Sequence, residues 1–448
     1  MTEQYKELSR RGFLKMGGAA AATAAVAATA GPTTAMAAPM VGAGVKAALP
    51  KATGPRLVIV GGGTSGLTIA KYAKKEYPKF DVVLVEKRDM YSSCFSSNMW
   101  YAGVVDLDFL AGHSFLDAAV NNKYTYFNAA ATGVDRAAKK LFTDEGEIDY
   151  DFLVVAPGIA YDYSRVGVKD IESITALRQM YPGGFISPTE HVTIRDKVAG
   201  FEGGTFLVTV PSGNYRCLPG PYERACMIAT AFKKAKVKGK VLVLDPNAKP
   251  TIKADGFLNA FKEFYADVIE YKPNTKIEGI DAGKKTIKAE FDTIKFDDAA
   301  IYPGVRGSTL LETMGIVDPK SPQKEALIDP LKYNVVGDMH VYVTGDSRPQ
   351  PFSKSANTSN TDAKYVAKVL AARAQGKDID WYSPETICYS MVTAGPNRAI
   401  SVDAGYVYDP KTGFNFNMAT IKMDEKYDEA KGRSCIEWAK GLYRDLFA

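Results

Sequence analysis

The sequence predicts an α/β fold: two βαβ-type domains built on parallel sheets, followed by a small C-terminal domain. Three observations carry this expectation. Residues 56–88 hold a complete strand, glycine turn, helix, strand and acid. The same order of elements recurs in weaker form between residues 205 and 304. A strand ending in Thr344-Gly345-Asp346 precedes a long helical segment near residue 355.

The first pattern reads RLVIVGGGTSGLTIAKYAKKEYPKFDVVLVEKR. Leu57-Val58-Ile59-Val60 and Val82-Val83-Leu84-Val85 are short, uninterrupted apolar runs, as parallel strands buried on both faces require. Between them, Gly61-Gly62-Gly63-Thr64-Ser65-Gly66 matches the dinucleotide fingerprint in its required context. Gly61 allows the tight turn, Gly63 lets the backbone approach a pyrophosphate, and Gly66 lets the helix pack on the strand. The helix N-terminus faces the phosphates. Glu86, with Lys87 beside it, follows the turn by about twenty residues, where a carboxylate accepts from ribose hydroxyls. This Rossmann-like unit fits NAD and FAD alike.

An internal repeat comes next. Gly133-Val134-Asp135, Lys139-Lys140 and a strand ending in Ala156-Pro157-Gly158 form one copy. Gly279-Ile280-Asp281, Lys284-Lys285 and a strand ending in Tyr302-Pro303-Gly304 form the other. Such repeats signal duplicated architecture: βαβ, meander and closing strand, twice. The second βαβ falls at residues 205–245, with TFLVTV, a turn, a helix near 222–236, and KVLVLD. Its turn, PSGNYRCLPGP, has a single glycine near the strand end, and Pro219 and Pro221 stiffen it and remove amide donors. A pyrophosphate does not sit closely on such a turn. The second domain is therefore expected to keep the shape of an NAD domain without an NAD site. Cys217 occupies the turn instead.

The third observation selects the cofactor. In two-domain flavoproteins the aspartate of a T-G-D strand end, here Asp346 after Gly345, binds the ribityl chain of FAD. The helix expected over 355–372 starts at Ser355, and its N-terminal partial charge would face the flavin pyrimidine edge and stabilise anionic reduced flavin. With Ala156-Pro157-Gly158 as a tight turn beside the cofactor, these features favour FAD over NAD.

The N-terminus lies outside the fold. Ser9-Arg10-Arg11-Gly12-Phe13-Leu14-Lys15 is a twin-arginine pattern, an Ala/Gly-rich segment follows, and Ala35-Met36-Ala37 is a cleavage site. The segment is too short and too weakly apolar to span a bilayer. A periplasmic location, reached by twin-arginine export of the folded protein, is the expectation. The domain plan is a signal peptide over 1–37, a linker over 38–54, an FAD domain over 55–163 and 296–378, a second domain over 164–295, and a C-terminal domain over 379–448. Within it, a terminal amphipathic helix is expected near 428–446. The net charge of +5 is dispersed, with no basic tract, which argues against nucleic acid. Three scattered histidines suggest no metal site, and the absence of C-x-x-C-H excludes a c-type haem on this chain. Of the five cysteines, Cys226 reads as a helix-borne core thiol and Cys435 as an inert thiol on the terminal helix, packed or exposed.

The motifs VGGGTSG, YSSCFSSN around Cys94, RCLPGPYERA at 216–225, the T-G-D strand, and ETICYS around Cys388 resemble the flavoprotein subunits of flavocytochrome c sulfide dehydrogenases. The similarity covers nearly the whole mature chain, and the wider superfamily includes sulfide:quinone reductases. Residues 321–327 and the tail after Asp409 depart from the pattern.

The resemblance implies covalent FAD, joined at its 8α-methyl to Cys94 as a thioether, and a redox-active disulfide between Cys217 and Cys388. Sulfide would open that disulfide to a persulfide and a thiolate. Arg216 and nearby helix N-termini are expected to favour thiolate. The electrons would pass through the flavin to a cytochrome c on a separate chain. Two other readings stand beside this one: a sulfide:quinone reductase, and an accessory flavoprotein of sulfur oxidation without turnover. The residues leave open which cysteine is attacked.

Overall fold

The computed structural model describes residues 42–448 apart from Ser187 and Gln350. The twin-arginine pattern, the cleavage site and the first residues of the expected linker lie outside the described residues.

Five parallel strands form the first sheet, in the order Val341–Val343, Phe152–Val155, Arg56–Val60, Asp81–Val85 and Thr125–Phe127. Arg56–Val60 lies at its centre, paired Leu57↔Val82 on one side and Leu57↔Phe152 on the other. Leu57, Val58, Ile59 and Leu84 are fully buried, each worth roughly 1.5–3 kcal/mol relative to exposure. The helices Thr64–Glu76 and Ala356–Arg373 pack against one another, tied by Asn360 Nδ2 donating to Thr68 Oγ1 at 2.9 Å. Ser355 caps the second of these, its Oγ accepting from Thr358 N.

The second sheet runs Ile269–Lys272, Lys238–Leu244, Gly203–Thr209 and Asp298–Ala300, again all parallel. The helix Gly220–Ala235 packs on it. Each sheet is accompanied by a three-stranded antiparallel meander, Ala131–Asp135 to Gly146–Asp149 in the first and Ile277–Asp281 to Thr293–Lys295 in the second. The weak sequence repeat is thus a duplication of architecture.

Two expected boundaries are corrected. The second domain does not stop at 295, because its closing strand pairs Phe206↔Asp298 and Val208↔Ala300, and Asp297 exchanges hydrogen bonds with the Thr205 backbone. The stretch expected as a linker is docked from Val45 onward: Glu147 N donates to Val45 O, Ala47 N donates to Glu147 O, and Leu49 joins the core. The antiparallel pair Ile159–Asp162 and Gly304–Gly307 carries the chain out to the second domain and back.

The C-terminal portion is a three-stranded antiparallel sheet, Thr386–Thr393, Arg398–Ala404 and Lys422–Asp428, and a helix, Glu429–Phe447, capped by Asp428 Oδ1 accepting from Lys431 N. This helix lies on the first domain. Tyr443 OH meets Ser93 Oγ at 2.6 Å, and His113 is sandwiched between Tyr443 and Phe447.

Candidate active site

The glycine turn works as a cradle. Gly61 has φ +102°, and a Cβ there would lie 2.4 Å from Ala156 O. A Cβ on Gly66 would lie 1.9 Å from Gly61 O, so this glycine sets how closely the helix meets the strand. A Cβ on Gly63 would project into open space, which is where a pyrophosphate needs room. Glu86 is buried. Its oxygens accept from Gly62 N at 2.8 Å and from the Arg88 backbone and guanidinium at 2.9–3.1 Å. Burial works to raise its pKa, but Arg88 and the two amides outweigh it and hold the carboxyl below its ordinary value.

A cavity of about 810 Å³ opens at the C-terminal ends of these strands. Gly61, Gly63, Glu86, Lys87, Ala156, Pro157, Gly158, Gly345, Asp346 and Ser355 all line it, as do Cys94, Cys217 and Cys388. Gly66 is the one expected site residue outside the lining; it acts through helix packing. A cavity lined by a ribose-type carboxylate, a side-chain-free turn and a helix N-terminus fits FAD.

Cys94 lies in the loop before the helix Ser97–Tyr101, and its carbonyl accepts from Ser97 Oγ at 2.8 Å. The next residue, Phe95, packs its ring 5.4 Å from that of Trp438, and both line the cavity. Cys217 has φ +60°, a left-handed conformation that costs a side-chain-bearing residue roughly 1–3 kcal/mol and is a mark of functional sites. Its amide donates to Lys354 O at 2.9 Å, so the strained thiol is pinned to the Asp346 segment. Cys388 comes from the strand Thr386–Thr393. All five cysteines are thiols in the structure.

The expectation that Arg216 favours a thiolate at Cys217 is corrected. Arg216 Nε donates to Asp346 Oδ2 at 2.5 Å and its Nη1 donates to Phe185 O at 2.6 Å. Burial, followed by the fields of Cys388 and Glu223, pushes the Cys217 thiol well above its ordinary range. Asp346 therefore holds a guanidinium as well as facing the cavity.

Three polar residues escaped the sequence reading. Lys253, 1% exposed and also left-handed at φ +52°, places Nζ 3.6 Å from Cys388 Sγ and donates to Cys388 O and Ser390 Oγ. Glu223 is buried in the helix after Cys217 and lines the cavity, accepting from Asn98 Nδ2 at 2.8 Å and Met391 N at 2.7 Å. Burial raises its pKa. Lys354, also lining the cavity, is neutralised by Glu325 at 2.7 Å, from the loop that departs from the family pattern. Lys253 and Lys354 belong to no motif; Glu223 lies inside the RCLPGPYERA run, which does not mark it.

In the second domain, the crevice between the ends of Gly203–Thr209 and Lys238–Leu244 is filled by the chain itself. Tyr215 and Tyr222 are fully buried, and Asp245 accepts from Tyr222 OH at 2.7 Å and Tyr271 OH at 2.8 Å. Among the described residues, no group of His, Cys, Asp or Glu could hold a metal ion, and no helix is long and apolar enough to cross a membrane. Cys226 and Cys435 are buried, the latter 3.9 Å from Met99 Sδ.

Residues 192–303 match the family model of the sulfide dehydrogenase (flavocytochrome c) flavoprotein chain, central region. Residues 55–179 match that of pyridine nucleotide-disulphide oxidoreductases. The mitochondrial sulfide:quinone oxidoreductase of Mus musculus is 23% identical over 388 residues, covering 82% of each chain. A type II NADH:quinone oxidoreductase of Staphylococcus saprophyticus is 24% identical over 364 residues, covering 74% of this chain and 87% of its own. The solved structure of the Aquifex aeolicus sulfide:quinone oxidoreductase superposes with a TM-score of 0.70 at 15% identity, covering 88% of this chain and 91% of that one. Fold and site together define a flavoprotein with two dinucleotide-type domains. The two family matches and the curated relatives support a flavoprotein of the sulfide dehydrogenase and sulfide:quinone oxidoreductase superfamily.

Proposed function

We propose that the protein is the flavoprotein subunit of a periplasmic sulfide dehydrogenase. It oxidises sulfide to sulfane sulfur through a Cys217–Cys388 disulfide and FAD, and passes the electrons to a c-type cytochrome on a separate chain. The observation that carries this reading is the convergence of Cys217 and Cys388, from a turn and a strand far apart in sequence, on the cavity that holds the dinucleotide cradle. The family match to the flavocytochrome c flavoprotein chain supports it.

HS⁻ attacks one sulfur of the disulfide. The S–S bond breaks, the attacked cysteine becomes a persulfide, and the other leaves as thiolate. Lys253 stands beside Cys388 Sγ and holds the negative charge that develops there, so attack falls on Cys217. A second HS⁻ removes the outer sulfur as HS₂⁻, and re-forming the disulfide releases an electron pair. Two HS⁻ thus become HS₂⁻, one proton and two electrons. Glu223, its pKa raised by burial, is placed to carry the proton. Bound FAD supplies the two-electron acceptor, held by the glycine turn, Glu86 and Asp346 and anchored through Cys94. The burial of Tyr215 and Tyr222 and the Tyr222–Asp245 hydrogen bond support a second domain that does not take NAD(P).

The relatives named as quinone oxidoreductases favour a second reading for the acceptor alone, a quinone. The test is anaerobic titration with sulfide while flavin bleaching is followed, in the wild type and in Cys217→Ser and Cys388→Ser. Bleaching is expected in the wild type only; bleaching at the wild-type rate in either variant rejects the disulfide as the point of entry. Reoxidation by cytochrome c but not by a soluble quinone decides the acceptor.

A further inference from the structure

In both domains an acid follows the second strand of the βαβ unit: Glu86 after Asp81–Val85, and Asp245 after Lys238–Leu244. Glu86 faces the glycine turn of a dinucleotide cradle. Asp245 has another task. It is fully buried, and four donors from its own domain meet it. Oδ2 accepts from Tyr222 OH at 2.7 Å and Tyr271 OH at 2.8 Å. Oδ1 accepts from Asn247 N at 2.8 Å and Asn247 Nδ2 at 2.7 Å. A fully satisfied buried polar group is a rigid node.

From this node the bonds lead to two segments. Tyr222 OH accepts from Thr251 N at 3.2 Å. Thr251 Oγ1 lies 2.9 Å from Tyr215 OH and donates to Leu218 O at 3.4 Å, and Tyr215 OH donates to the same carbonyl at 3.0 Å. Leu218 follows Cys217, and Thr251 stands two residues before Lys253. The Thr251 hydroxyl thus joins the turn that carries Cys217 to the segment that carries Lys253. Cys217 and Lys253 are both left-handed, at φ +60° and +52°. Such conformations persist only where the surroundings over-determine them. The segment so held places Lys253 Nζ 3.6 Å from Cys388 Sγ.

We propose that Asp245 and Thr251 are positioning residues: through Tyr222 and Tyr215 they fix the Lys253 ammonium against Cys388 and set it in register with the Cys217 turn. The acid that would hold a ribose in an NAD domain serves here to align two thiols and a cation. The proposal rests on the reading of Cys217 and Cys388 as the reacting pair, but its test needs no sulfide.

The test uses the full-length flavin-loaded protein, reduced anaerobically with a phosphine that is then removed. Alkylation of Cys388 by iodoacetamide at neutral pH is followed by peptide mass. A neighbouring ammonium speeds this reaction by favouring thiolate. Thr251→Val keeps the side-chain shape and removes the hydroxyl, and the Cys388 rate should fall about tenfold. Thr251→Ser retains the hydroxyl and should react as the wild type does. Asp245→Asn sets an amide against two phenols and should slow the rate as Thr251→Val does. Tyr271→Phe removes a donor to Asp245 that touches neither segment, so it should lower the melting temperature and leave the rate unchanged. In a Lys253→Met background, Thr251→Val should cause no further loss, because the hydroxyl acts through the ammonium. Equal rates in Thr251→Val and the wild type overturn the proposal. So do equal losses in Thr251→Val and Tyr271→Phe, or a further loss in the Lys253→Met background. The two readings fail separately. Hydroxyl-dependent alkylation in a protein whose flavin sulfide cannot bleach keeps the positioning role and rejects the disulfide chemistry. Sulfide bleaching that needs both cysteines, with hydroxyl-independent alkylation, does the reverse.

Discussion

Lys253 Nζ stands 3.6 Å from Cys388 Sγ, and its residue is held in a left-handed conformation to do so. At that distance a full charge pair interacts by about 5 kcal/mol at an effective dielectric constant near 20. Lys253→Met keeps the length and removes the charge. Sulfide-dependent flavin bleaching should slow by roughly 10²–10³-fold while flavin content is unchanged. Stopped-flow absorbance measures this; a rate within a factor of two of wild type means that the ammonium does not hold the leaving thiolate.

Cys94 should carry the flavin. Acid precipitation of the wild type is expected to bring the flavin down with the protein, and Cys94→Ala should release it to the supernatant. Free flavin from the wild type contradicts a thioether at this residue.

The second domain should not accept nicotinamide. Tyr215, Tyr222 and Tyr271 occupy or border the crevice, and Asp245 is spent on two phenols. Neither NADH nor NADPH should reduce the bound flavin under anaerobic conditions, and neither should raise the melting temperature. Reduction at a rate comparable with sulfide defeats the prediction.

His191 supplies a pH dependence. It is 3% exposed, and burial first, then Arg224 and Arg216, push its pKa down to about 3. The folded value is below the unfolded value of about 6.5, so the unfolded chain binds the proton more readily. The stability this residue contributes is complete above pH 6.5 and is lost as pH falls towards 3. Between pH 7 and pH 5 the loss should be about 2 kcal/mol. Urea midpoints at the two pH values measure it. His191→Asn should flatten that slope; an unchanged slope assigns the acid sensitivity elsewhere.

The opening βαβ was legible almost to the residue, because two uninterrupted apolar runs and a glycine turn leave a buried parallel pair little alternative. The helix at Ser355 was legible for a similar local reason, its cap. The site was legible only where it is built from motifs. Adjacency in sequence suggests Arg216 as a partner for Cys217, but it pairs with Asp346, 130 positions away. Lys253 and Glu223 are single charged residues without periodicity or spacing, and only the meeting of the second domain with the C-terminal sheet gives them meaning. The closing strand Asp298–Ala300 is illegible for the same reason: three residues carry too little pattern to reveal which sheet they join.

The clasp between Ser93 and Tyr443 joins residues 350 positions apart. A ribosome finishes the flavin loop long before it makes the helix that covers it. During that interval the loop beside Cys94 lacks its lid, and a chain cut short before the helix Glu429–Phe447 never gains one. The loop that carries Cys94 is therefore covered only after the helix Glu429–Phe447 has been made.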